Sequence, residues 1–525
     1  MKTFKHYVKF AMPLIAAVAF MMTSCSGLKD KEAQVPQNAI FVANFNVGSM
    51  WQKGKLSNVD NIKSYGILRE GLSAAMPQLE QLLTNLLKDP STTGIDTDKD
   101  LLLFAAMNGE NINDITLTFS ATLKSKETFT DFLNKASDIA GEKLAIEEGD
   151  LSYANLDKDV VMAFNNKSLV IIAGGKSGSQ KDYAKSLFEL KESLADNDHY
   201  KAYLDNRQDM GLFLPFANWF GEKGFMNNPM LKALMTNANE ALYAQLEKCS
   251  VYSVTSFENG SIVTTCKTLG NPTDNAKFIG KGIDNSLMAF IPSSTLAAFS
   301  FSVDMPACLE YIANDKASAE AFNESIEELG CTVKDIVEIF AGNFVGSFYG
   351  MGKGNMPLCA VAADIAKADL VNNFLQSAGL KAKNNVYDLG SGMSLFFDGK
   401  TLAFSTDANA PKAYAQGGYQ NSLAVVADKI RKGNYFFLDL KIQDYPQSLL
   451  DLLGYKAGNN TLLDQVLALF DYFEVVTTAP DEFKLILKLT DERNALAAII
   501  GTADDIAMSF LGADLNDDET LALED

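Results

Sequence analysis

The sequence predicts an α+β protein built as two similar halves, each a mainly antiparallel sheet with packed helices. Three observations predict it. The same landmarks recur in the same order in both halves. Strand-like segments are joined by hairpin turns rather than crossover helices. Apolar residues repeat every two positions in some segments and every three to four in others.

The chain opens with three cations, Lys2, Lys5 and Lys9, and no acid. An apolar run follows over residues 10–22, of signal-peptide length and short of the roughly 20 residues that span a bilayer. Next comes Met22-Thr23-Ser24-Cys25-Ser26, which resembles the bacterial lipobox, with Met22 in the position where Leu is usual. The resemblance implies that residues 1–24 are a signal peptide and that Cys25 becomes the lipidated first residue of the mature protein. Acyl chains hold a membrane by burying CH₂ groups at about 0.8 kcal/mol each, and stable attachment takes more than one chain. Residues 25–34 then form the lipidated Cys and a short polar linker reaching at most about 30 Å, which keeps the body close to its membrane.

The first repeat is expected over residues 35–289 and the second over 290–512. An apolar residue, a Pro, a polar turn and a strand begin each, at 35–47 and 291–303. Pro fixes φ and suits a strand's entry. Residues 94–101 and 330–336 both read as capped helix starts. A strand at 113–123 with a helix through Asp131-Phe132-Leu133 matches a strand at 358–364 with a helix through Asn373-Phe374-Leu375. A hairpin turning at Asn259-Gly260 matches one turning at Pro480-Asp481, where Phe483, Leu485, Leu487 and Leu489 share one face. Thr273-Asp274 and Thr490-Asp491 open the closing segments. The first repeat is longer, with part of the surplus in residues 178–239. Leu79, Leu82, Leu83, Leu86 and Leu87 form an apolar helical stripe that reads as core. Residues 513–525 make an acidic tail expected to fray.

Composition narrows the function. Without the leader, 42 basic residues face 66 acidic ones, a net charge near −24. Phosphate backbones and anionic lipid surfaces repel such a body, so nucleic acid is not an expected partner. Beyond Cys25, the cysteines Cys249, Cys266, Cys308, Cys331 and Cys359 are scattered without metal spacing. They read as small buried residues, with a Cys308–Cys331 bridge as the first alternative. His199 is the one histidine beyond the leader, and it reads as a loop or helix-start residue. Histidine-based triads and zinc sites therefore lack their parts.

Three motifs reduce to structure. Ala173-Gly174-Gly175-Lys176-Ser177 lacks the first glycine of a phosphate loop and reads as a strand-ending turn. Asp96, Asp98 and Asp100 fail the calcium-loop pattern at Leu101 and Met107, and read as helix-capping acids. Gly342, Gly346, Gly350, Gly352 and Gly354 fit a hairpin turning over residues 351–356. No catalytic, cofactor-binding or metal-ligating residue is assigned, and no cofactor is expected.

The lipobox, the early Val-Pro-x-x-Ala-x-Phe-Val-Ala strand, the length and the repeated half together resemble a domain-of-unknown-function family of Bacteroides-type lipoproteins. The resemblance implies an exported, lipid-anchored protein of the cell envelope with no assigned activity, at the outer membrane, on either its periplasmic or its outer face. The leading expectation is a non-enzymatic binding or scaffold protein for another envelope protein, a peptide or a glycan. A carboxylate-dependent hydrolase acting on carbohydrate is one alternative, and a structural or chaperone role is the other.

Overall fold

The computed structural model describes residues 32–109, 114–141, 143–222, 224–227, 240–270, 275–280, 282–283, 285–314, 333–422, 434–456 and 461–521. Cys25, Cys331 and Thr273-Asp274 lie outside them. The chain divides into two compact units, residues 1–272 with 491–525, and residues 273–490.

The first unit carries ten strands: β1 (Ala39–Phe45), β2 (Leu101–Met107), β3 (Ile115–Thr122), β4 (Ile146–Glu147), β5 (Ser152–Asp157), β6 (Val160–Phe164), β7 (Ser168–Gly174), β8 (Met210–Pro215), β9 (Ser250–Glu258) and β10 (Ser261–Leu269). They pair antiparallel in the order β10-β9-β8-β1-β2-β3-β7-β6-β5-β4. After β1 come α1 (Val47–Lys53), α2 (Lys63–Ala75) and α3 (Pro77–Lys88). α4 (Lys126–Ala140) follows β3, α5 (Gln180–Phe188) and α6 (Asp198–Asp205) follow β7, and α7 (Ala217–Phe220) and α8 (Glu240–Leu246) follow β8.

Both faces of this sheet are packed, because neighbouring residues of a strand point to opposite sides. Leu101 and Leu169 join a core with Trp51, Phe129 and Phe164, and Leu79 and Leu86 of the leucine stripe are buried there. Leu102 and Val170 point the other way, into a core with Phe104, Tyr200, Tyr203 and Phe213. The Asn259-Gly260 turn joins β9 to β10, with Gly260 at φ 65°.

Four expectations are corrected in this unit. The linker ends earlier than residue 34. Glu32–Gln34 form a tight turn in which Glu32 and Gln34 are buried, and Gln34 donates to Ser168 Oγ at 2.8 Å. No helix follows Gly94. Asp96 accepts from Asp98 N at 3.1 Å, and the chain turns straight into β2, whose uniformly apolar residues suit a strand packed on both faces.

Residues 491–512 belong with the first unit, not with the second repeat. A closing helix, Ala495–Leu521, buries Ala495 and Ala498 and places Asp504 at the N-terminus of α2. Asp504 accepts there from Lys63 N at 3.0 Å and Ser64 N at 2.8 Å. The helix also runs on through Leu521, so the expected tail at 513–525 is mostly helical in its backbone.

Burial pushes the Asp504 carboxyl up, but the bonds from Ser64 and Lys63 outweigh it and hold the group below its ordinary value. A depressed carboxyl stabilises the fold above the unfolded value, about 3.9, and loses that contribution as pH falls through the folded one. Asp504→Asn is therefore expected to lower stability by about 1 kcal/mol at pH 7, as a lost cap does. Urea unfolding below the folded-state titration should show the gap to wild type closing.

The second unit carries β11 (Ala297–Ser302), β12 (Phe340–Met351), β13 (Pro357–Ile365), β14 (Ala382–Lys383), β15 (Val386–Gly390), β16 (Met393–Phe397), β17 (Thr401–Ser405), β18 (Tyr435–Asp439), β19 (Phe470–Ala479) and β20 (Glu482–Leu489). They pair antiparallel in the order β20-β19-β18-β11-β12-β13-β17-β16-β15-β14. α9 (Asn285–Met288) precedes β11. α10 (Met305–Asn314) and α11 (Val333–Ile339) follow β11, and α12 (Ala368–Ser377) follows β13. α13 (Ala410–Tyr414) follows β17, and α14 (Gln447–Leu452) and α15 (Thr461–Ala468) follow β18. The unit begins at residue 273 rather than 290, because Ile283, Leu287 and Met288 are buried in its core.

Counted from its own first strand, each unit has the same strand order, with helices after the first, third, seventh and eighth strands. Small devices recur as well. Pro36 bridges Ser193, and Pro292 bridges Ser422. Asn46 caps α1 at Ser49 N, and Asp304 caps α10 at Ala307 N. Asn165 accepts from the amides of Lys167 and Ser168 before β7, and Asp398 from those of Lys400 and Thr401 before β17. No described helix is long and apolar enough to cross a membrane.

Candidate binding surface

The alternating Phe and Ser of β11 turn serine inward and phenylalanine outward. Ser300 and Ser302 are buried, whereas Phe299 and Phe301 are 37% and 36% exposed. Ser302 faces inward because its Oγ donates to Asn343 Oδ1 at 2.6 Å and accepts from Gly282 N at 3.1 Å. The phenylalanines therefore lie on the other face of the sheet.

Strand register extends that face. Phe299 stands between Phe436 of β18 and Gly346 of β12, with Val361 of β13 beyond the glycine. A Cβ on Gly346 would lie 2.6 Å from the Phe299 ring, so only glycine lets that ring lie flat across β12. Phe301 stacks on Phe344 with centroids 4.7 Å apart, and Phe436 meets Phe473 edge-on at 6.4 Å. Phe483, Leu485 and Leu487 of β20 share this face through their pairing with β19. At its other end, α12 buries Val371 and Leu375 against Phe397, Leu395 and Leu402. Among the described residues, Val361, Phe436 and Phe483 on this face are 37–40% exposed. Covering one such side chain is worth about 1.5–3 kcal/mol. Contiguous exposed apolar area of this kind marks interaction surfaces.

The residues weighed for chemistry take structural places. His199 is in the first turn of α6, with Nδ1 3.0 Å from Ser250 Oγ. Cys249, Cys266, Cys308 and Cys359 are free thiols, each pushed up in pKa by burial, which keeps them protonated and poorly nucleophilic. The Gly174-Gly175 pair ends β7 at positive φ, and Gly352 N bonds Met356 O at 2.8 Å in the β12–β13 turn. No group of acids, cysteines or histidines among the described residues has the geometry of a metal site.

A buried charge cluster escaped the reading of the sequence. Arg207 Nη1 lies 3.0 Å from Glu32 Oε1 and 2.9 Å from Asp100 Oδ2. Asn44 donates to Asp100 at 3.2 Å, and Tyr203 donates to Asn44. Asp100 is thus an ion-pair residue rather than a helix cap. Both carboxylates are buried and turned onto one guanidinium. Their neighbours in sequence give no hint of it, because the partners are over a hundred residues from Arg207.

The family model described as domain of unknown function DUF4836 matches residues 32–496. No curated protein matches the chain. Among solved structures, crystal form I of TP0453 is 11% identical over 47% of this chain and 81% of that one, with a TM-score of 0.25, a likeness too weak to inform fold or function. The family match begins at Glu32, the first described residue, and takes in all twenty described strands: the chain belongs to the DUF4836 family.

Proposed function

We propose that this is a lipid-anchored envelope protein of the Bacteroides lipoprotein kind, held through Cys25, which binds another envelope protein on the open face of its second unit. The aromatic face of β11, β18, β19 and β20 carries the reading. An apolar segment of a partner protein fits it best. The mature chain is strongly acidic, so a second copy and an anionic lipid surface are both repelled. The lipid then supplies the membrane contact and the face supplies the partner contact.

A photo-crosslinking side chain at Phe436, with Asp198 as an exposed control position, tests the reading in cells. The expected result is a discrete protein adduct from position 436, absent from position 198, and lost when Phe299→Ser and Phe483→Ser are added. Equal labelling at both positions would overturn it. Mass spectrometry of the native protein tests the anchor, with a diacylglyceryl group on an N-terminal Cys25 expected and a retained leader contradicting it.

A further inference from the structure

The segment between the eighth and ninth strands packs differently in the two units. In the first unit its large side chains turn onto the protein. Trp219 Nε1 donates to Ile40 O at 2.6 Å and meets Phe225 edge-on, and Phe220 stacks on Tyr243 with centroids 5.0 Å apart. In the second unit, α14 buries Leu450 and holds Leu452 and Leu453 outward. At 65% and 62% exposed, these are the two most exposed leucines among the described residues. On α15, Leu462 and Val466, one helical turn apart, are 42% and 37% exposed.

Backbone geometry fixes the outward leucines. Gly454 has φ 70°, Tyr455 N donates to Leu450 O at 2.9 Å and Gly454 N to Asp451 O at 3.1 Å, so a left-handed cap ends α14 directly after Leu453. Tyr455 OH donates to Asp464 and ties α14 to α15. Asp451, the other acid beside these leucines, accepts from Gln447 at 2.9 Å. Lys456, next to Tyr455, is exposed.

We propose that this leucine tip inserts into the interface of a bilayer with zwitterionic headgroups, as a second membrane contact beside the acyl chains. The proposal rests on the lipid-anchored reading. Residues 25–31 reach at most about 25 Å, so an acylated Cys25 holds the body at the bilayer at high effective concentration. Leucines standing out from short helices enter the boundary between headgroups and acyl chains, and a neighbouring lysine keeps its ammonium at the headgroup phosphates. The acidic body is repelled by anionic lipid, which selects headgroups without net charge.

The chain from residue 26 onward, which carries neither leader nor lipid, tests this with phosphatidylcholine vesicles raised to millimolar lipid. It is expected to float with the vesicles, and less with vesicles that also contain phosphatidylglycerol. Leu452→Ser with Leu453→Ser should weaken partitioning about tenfold or more without lowering the melting temperature, because both side chains are largely in solvent. Leu68→Ser, on α2, and the Phe299→Ser, Phe483→Ser pair should leave it unchanged. The second unit has no tryptophan, so Leu453→Trp adds a reporter there, whose emission brominated acyl chains should quench. No flotation, flotation that the leucine pair does not change, or an equal loss in the Leu68 or phenylalanine variants would each overturn the proposal. Acylation of Cys25, read by mass spectrometry, stands or falls separately.

Discussion

Arg207→Ala is expected to lower the stability of the first unit by about 3–5 kcal/mol, the cost of removing one partner from a buried ion pair. The guanidinium is the common partner of Glu32 and Asp100. Without it, two buried carboxylates face each other with no cation between them. Glu32 lies in the turn through which the chain enters the body, so the same change should free residues 32–34. Guanidinium unfolding followed by circular dichroism measures the first effect, and hydrogen exchange at Gln34 and Val35 the second. Adding Glu32→Gln to Arg207→Ala should recover part of the loss, because contacting residues are not additive. A single variant that unfolds with wild type would show that the cluster contributes nothing.

Gly342→Ala should cost the second unit about 3 kcal/mol, from overpacking and the left-handed penalty together. Gly342 has φ 112° at the irregularity of β12, and its carbonyl accepts from Val303 N at 2.8 Å. A Cβ there would lie 2.0 Å from Val303 O, backbone that cannot step aside without breaking this bond. Gly354→Ala is the control, at φ 70° in the turn with nothing near its Cβ. It should cost only about 1 kcal/mol. Thermal unfolding of both variants distinguishes crowding from backbone preference, and equal losses would deny the close approach.

Local chemistry made much of this fold legible. Asn259-Gly260 and Pro480-Asp481 specified hairpins because turn geometry is written in adjacent residues. The Pro-strand entries at Pro36 and Pro292 repeat because the same bridge forms at each. Contacts between distant segments were not legible. Asp100 looked like a helix cap until Arg207 was placed beside it. In β11, tertiary hydrogen bonds to Ser302 turn serine inward and phenylalanine outward, which no neighbouring residue encodes. The buried Asn44 of β1, at the position of Ser300, is the one sequence sign of a polar inner position. Likewise, residues 491–512 follow the second unit in sequence, and contacts between distant segments, such as the bonds of Asp504, show that they complete the first.

Whether the aromatic face is covered in the envelope is the central claim. Hydroxyl-radical footprinting of Phe299, Phe301, Phe436 and Phe483 tests it most directly, comparing intact cells with the lipid-free Cys25→Ala protein in solution. The account predicts that oxidation of these four side chains falls several-fold in cells, while exposed side chains elsewhere, such as Leu68, are oxidised equally in both. Equal oxidation of the four phenylalanines in both states would contradict it.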